Sequence, residues 1–102
     1  MLNDKNIPAI PVHPGEILRE EFLEPAGLTQ AALAKPLALP VEQIEVLCQC
    51  NVVLTAETAW LLAQAFNTSP QFWLNLQAIY ELATTKQEGS IREVEEILTH
   101  GA

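Results

Sequence analysis

Two cysteines one residue apart, Cys48 and Cys50, are the most reactive pairing in this sequence. A Cys-x-Cys pair can ligate a soft metal or act in redox chemistry, but a metal site needs further ligands at the right spacing. The histidines, His13 and His100, lie far off along the chain, and no second cysteine pair exists. The spacing therefore favours two small apolar residues at the end of a helix. Glu20, Glu21 and Glu24 could bind a basic protein or a cation; a solvated helix face is the simpler reading. Asp4 is the sole aspartate, and there is no glycine-rich phosphate loop, no metal-ligand spacing and no Ser-x-His arrangement. These absences argue against an enzyme and against any metal or cofactor.

The elements that must position these residues are short helices. The chain has 102 residues, enough for one domain, and 49% of them are hydrophobic. That is much apolar material for a small surface-rich fold, so part of it is expected at a subunit interface. Residues 1–13, with Pro8 and Pro11 and no periodicity, read as an extended arm. From Pro14 and Gly15, the spacing of Ile17, Leu18, Phe22 and Leu23 predicts a helix that Pro25 and Gly27 end. Thr29 caps a second helix whose buried stripe is Leu33 and Leu37, kept short or kinked by Pro36. Pro40 suits the first position of a third helix, with Ile44, Leu47 and Cys48 facing the core. The stretch Asn51–Leu54 is too short and unpaired for a strand. Thr55 caps a fourth helix, carrying Ala59, Leu62, Ala63 and Phe66, and Ser69 with Pro70 starts a fifth. After a linker, Ser90 and Glu93 form a capping box for a last helix with Ile91, Val94, Ile97 and Leu98 on one side.

The run "HPGEILREEFLEPAGLTQAALA" at residues 13–34 and the run "TAETAWLLAQAFNTSPQFWLNLQAIYEL" at 55–82 resemble the HigA antitoxin family of phage-repressor-type helix-turn-helix proteins. The resemblance rests on His13 to Leu18 at one end and Ser69 to Gln77 at the other, and covers about 70 residues. It implies an all-α phage-repressor-like domain of five to six helices with a C-terminal dimerisation helix. The corresponding division is an N-terminal arm at 1–13, a helix-turn-helix domain at 14–83, and a linker and C-terminal helix at 84–102. It also implies a homodimer that binds operator DNA before its own gene and silences a ribonuclease toxin encoded beside it. The second helix is then Thr29–Leu37 and the reading helix Pro40–Gln49, which would sit in the major groove with its N-terminal side chains at base edges. On that reading the DNA contacts are Thr29, Gln30, Lys35, Gln43, Gln49 and Asn51. Phe72, Trp73, Leu76, Ile79 and Tyr80 supply core and dimer packing, and His13 makes a structural hydrogen bond.

Charge sets a condition on this picture. Thirteen acidic residues oppose five basic ones, Lys5, Arg19, Lys35, Lys86 and Arg92, for a formal net charge of −8. Between residues 27 and 66 the chain has Lys35 against Glu42, Glu45 and Glu57. Family members usually begin the reading helix with a Ser-Arg-Gln-Thr-like run and follow it with Gly-Arg or Gly-Lys. This chain has Pro40, Val41, Glu42 and Gln43, then Cys50, Asn51 and Val52, and Ala38 replaces the turn glycine. A helix-turn-helix dimer commonly neutralises about 6–10 phosphates, so weak, salt-sensitive DNA binding is expected here. Val41 and Val46, if they point outward, suit a protein contact better than a phosphate backbone. A dimeric helical interaction module that kept the scaffold and lost most operator reading is thus the alternative. Trp60, where the family usually has leucine, is expected in the core or half-exposed. No run of about 18 apolar residues and no signal peptide is found, so a cytoplasmic protein without membrane association is expected.

Overall fold

The computed structural model describes residues 11–87 together with 89, 91, 92, 94, 95 and 97, and the described residues form helices and connections without a strand. Helix α1 opens where Pro14, whose missing N–H is harmless in a first turn, follows His13 as N-cap. It runs as Pro14–Ile17, then a π-helical stretch Leu18–Leu23, then Glu24–Ala26. An ordinary α-helix was expected throughout. In the wider turn the Glu24 N–H pairs with the Arg19 carbonyl, five residues back, so that Leu18 and Leu23 share the buried face. Gly27 closes the helix at φ 64°, left-handed backbone that glycine adopts freely.

Helix α2, Gln30–Leu37, starts where Thr29 Oγ1 accepts the Ala32 N–H at 3.0 Å. It is short because Pro36 lies in its last turn. Ala38 follows at φ 56°, in the left-handed conformation that the missing glycine would favour. Helix α3 is Val41–Cys48; Pro40 is its N-cap rather than its first helical residue, with an extended ψ of 141°. Helix α4, Ala56–Phe66, is capped by Thr55 and stopped by Asn67 at φ 57°. Helix α5 is Pro70–Gln87, and Ser69 Oγ accepts the Phe72 N–H at its start.

Helices α4 and α5 pack along each other, α2 packs on both α3 and α4, and α1 closes the bundle against α3 and α5. Each contributes one apolar stripe: Leu18 and Leu23, Leu33 and Leu37, Ile44 and Leu47, Ala59 and Leu62, then Trp73. Trp73 is wholly buried, donates its indole N–H to Thr68 Oγ1 at 2.8 Å, and packs at 5.0 Å from Phe22, which also meets Phe66. The other members of the expected motif sit around it. Leu76 is half-buried against the core, Phe72 lies at its edge 38% exposed, and Ile79 and Tyr80 are half-buried.

Two expectations need correcting. The helix continues through residues 84–87, where a linker was expected, because nothing before Gly89 (φ 67°) breaks it. Residues 91, 92, 94, 95 and 97 are not helical, and Ile91, Val94 and Ile97 are 70%, 75% and 89% exposed. The expected C-terminal helix is therefore absent at these positions. Ile91, Val94 and Ile97 gain little burial among the described residues, and an isolated helix below about 12–15 residues is marginal in water. Leu98 and residues 1–10 lie outside the described residues. Of the two placements expected for Trp60, core or half-exposed, the structure has the second, at 58% exposure.

Candidate nucleic-acid interface

Helices α2 and α3 and the turn between them form a helix-turn-helix whose geometry is fixed from behind. Ile44, Leu47 and Cys48 bury one side of α3. Glu42, Val46 and Gln49, spaced by four and three residues, fall along the opposite line, with Glu45 beside them. Glu42, Gln43, Glu45 and Gln49 are exposed, and Val41 is 38% exposed. Among the described residues the only ion pair joins Arg19 to Glu20 at 3.2 Å, so neither glutamate of α3 is neutralised by a pairing cation.

Two hydrogen bonds hold the segment between α3 and α4. His13 Nδ1 accepts the Gly15 N–H at 2.9 Å, which makes Nε2 the protonated nitrogen, and Nε2 donates to the Val52 carbonyl at 2.8 Å. The same ring stands edge-on to Tyr80 of α5, with centroids 4.9 Å apart. Buried Gln77 accepts the Leu54 N–H on Oε1 at 2.9 Å and donates from Nε2 to Glu81 at 2.8 Å. Gln77 thus pins the entry to α4 from α5. That role was not anticipated from sequence, where Gln77 reads as one polar residue in an apolar run.

The expected contact residues divide by what else they do. Lys35, Gln43, Gln49 and Asn51 are exposed, and the Asn51 amide donates to Gln49 Oε1 at 3.3 Å. Thr29 is exposed but its hydroxyl oxygen is taken by the α2 cap. Gln30 is half-buried near the Cys48 thiol. Val46 does not point outward freely: it is half-buried and walls a groove of about 290 Å³ with Leu39, Val52, Val53 and Glu57. Val52 and Val53 are 40% and 62% exposed, so the outer lip of this groove is apolar.

Both cysteines are free thiols. Burial pushes each above the ordinary thiol pKa; for Cys48 the Arg19 charge and the Gln30 side chain pull weakly the other way. Protonated thiols are poor nucleophiles and poor metal ligands. No group of three or more His, Cys, Asp or Glu side chains able to hold a metal occurs among the described residues. Among the described residues the cations do not gather beside α3 either. Arg19 lies near Cys48 and Cys50 but is paired with Glu20, while Lys35 ends α2 and Lys86 ends α5.

This helix order, with its apolar core and two-helix reading unit, recurs in known proteins. Antitoxin HigA-1 of Vibrio cholerae is 42% identical over 76 residues, spanning 74% of this chain and 71% of that protein. The chain belongs to the HigA antitoxin family. The virulence-associated protein I of Dichelobacter nodosus is 44% identical over 77 residues, covering 76% of this chain and 71% of the relative. Among solved structures, the Pseudomonas aeruginosa antitoxin HigA with the higBA promoter has a TM-score of 0.80 at 39% identity, covering 87% of this chain and 100% of that one. No family model matches. The protein is an antitoxin-type, helix-turn-helix transcription regulator of the HigA kind, all-α in build, and its relatives are regulators rather than enzymes. No helix among the described residues is long and apolar enough to cross a membrane.

Proposed function

We propose that this HigA-family protein binds the DNA before its own gene as a homodimer, represses that operon and neutralises a ribonuclease toxin encoded next to it. The observation that carries the operator reading is the exposed side of α3, with Glu42, Gln43, Glu45 and Gln49, on a scaffold that matches, over 87% of this chain, an antitoxin solved with its promoter. On this reading Gln43, Gln49 and Asn51 meet base edges and Lys35 meets a phosphate. Thr29 and Gln30 contribute through the α2 N-terminus, where amides without intrahelical partners can hold a phosphate. Residues 14–87 form the reading unit. Exposed Leu82, Ile91, Val94 and Ile97 supply apolar surface for a second subunit. Such a regulator works in the cytoplasm, where the DNA is. The test is a titration of the purified protein against its own upstream DNA and a scrambled duplex at low salt. Sub-micromolar binding with preference for the upstream sequence supports operator binding; no shift at high micromolar protein overturns it.

One observation favours a second reading, a dimeric interaction module with reduced DNA binding. The groove lined by Val46, Val52 and Val53 places apolar surface beside α3, where a phosphate backbone gains nothing from it. The same titration discriminates the two.

A further inference from the structure

The donor and acceptor inventory of α3 restricts which bases it can read. Guanine presents only acceptors in the major groove, N7 and O6, and is bound best by the paired donors of arginine or lysine. Helix α3 has neither residue. The Gln49 carbonyl already holds the Asn51 amide, which orients both groups toward each other. What the helix does present, in its first turn and along its outer line, is carboxylate and methyl: Glu42 and Glu45 exposed, Val41 partly exposed and Val46 at the groove edge. A carboxylate accepts from the cytosine N4 amino group, which is the donor that distinguishes a C·G pair when it is read from the cytosine side. Apolar side chains pack on the thymine 5-methyl group, and a glutamine such as Gln43 matches adenine. Glu42 and Glu45 face no cation among the described residues that would otherwise occupy them.

We infer that the operator half-site of this protein is read through cytosine amino groups by Glu42 and Glu45 and through thymine methyls by Val41, without guanine contacts under α3. The inference rests on the operator-binding reading above and specifies its DNA. The glutamates are then retained as base readers, and their repulsion from phosphates sharpens discrimination while lowering overall affinity.

The experiment uses the upstream duplex made by amplification with one base analogue at a time. Replacing deoxycytidine by N4-methyldeoxycytidine blocks the amino donor, replacing thymidine by deoxyuridine removes the methyls, and 7-deazadeoxyguanosine removes guanine N7. We expect the first two duplexes to bind about tenfold more weakly or worse, and the third to stay within about twofold of the unmodified duplex. A Glu42→Ala, Glu45→Ala double variant, changed only at exposed positions, is expected to bind the unmodified and N4-methyl duplexes with nearly equal affinity. Upstream binding that falls on 7-deazadeoxyguanosine and is indifferent to N4-methyldeoxycytidine overturns the base assignment and leaves operator binding standing. No binding to the unmodified upstream duplex overturns both.

Discussion

Single residues carry strain and chemistry that the helices do not advertise. Ala38 sits at φ 56° and Cys50 at φ 63°, a left-handed backbone that costs an L-residue with a Cβ about 1–2 kcal/mol. Glycine would relieve that strain but lose more chain entropy on folding, about 0.5–1 kcal/mol. Ala38→Gly is therefore expected to stabilise the protein by about 0.5–1 kcal/mol, read as a rise in Tm of a few degrees by thermal unfolding. A fall would mean that the turn between α2 and α3 gains more from the alanine methyl than from relaxed backbone. Cys48 and Cys50 give a pH prediction. Their folded-state pKa values are raised by burial, so the protonated thiol is the form the fold prefers. The stability this contributes is whole below the unfolded thiol pKa and is lost as pH rises through the folded value, which places the effect on the alkaline side. Alkylation by iodoacetamide at neutral pH is expected to be much slower for the native protein than for the urea-unfolded chain; equal rates would show that the thiols are neither buried nor shifted.

At the scale of elements, the packing of α1 on α3 turns on a residue with no side chain. A Cβ on Gly15 would run into the backbone carbonyl of Leu47, so the two helices approach as closely as they do only because position 15 is glycine. Gly15→Ala must push them apart or shift the α1 entry, where His13 caps the helix and reaches Val52. The expected loss is about 3 kcal/mol, the upper end for forcing bulk into a packed core. It should appear as a lower urea midpoint with an unchanged slope, and an unchanged midpoint would mean that the contact yields freely. Much of this architecture was legible in the sequence for local reasons. Thr29, Thr55 and Ser69 with Pro70 are strong helix starts, and the apolar spacings behind them allow one buried side each. The π-helical turn was not legible, because apolar residues at 17, 18, 22 and 23 fit a 3.6-residue period as well as a wider one. Gln77 was missed for a different reason: its partners, Leu54 and Glu81, include one 23 residues away, and no local pattern announces a long-range clamp. The outer line of α3 follows from the helix period alone, whereas the half-burial of Gln30 and Val46 depends on neighbours that only the packed bundle brings up.

For the whole molecule, the deciding quantity is the charge that the proposed dimer would bring to DNA. Among the described residues, each subunit of that dimer would bring Lys35 and the paired Arg19 near the reading unit, against exposed Glu42, Glu45 and Glu57. Two subunits of the proposed dimer would thus neutralise about two to four phosphates with these side chains. Each neutralised phosphate contributes about −0.9 to the slope of log affinity on log salt, so the slope should lie near −2 to −4 rather than the steeper −6 to −9 of a dimer making 6–10 contacts. Between about 50 and 200 mM salt this predicts a loss of roughly 10- to 150-fold, where a fully cationic dimer loses about 10³- to 10⁵-fold. The double substitution Glu42→Arg and Glu45→Ser adds two cations per dimer and removes four anions. It should raise affinity for upstream and scrambled DNA alike and steepen the slope by about 2. Because the added affinity is phosphate affinity, the ratio between upstream and scrambled duplexes should shrink as the absolute binding grows. A slope that stays flat in the double variant would mean that α3 does not face the duplex, and the protein would then meet DNA, if at all, through another surface of the dimer.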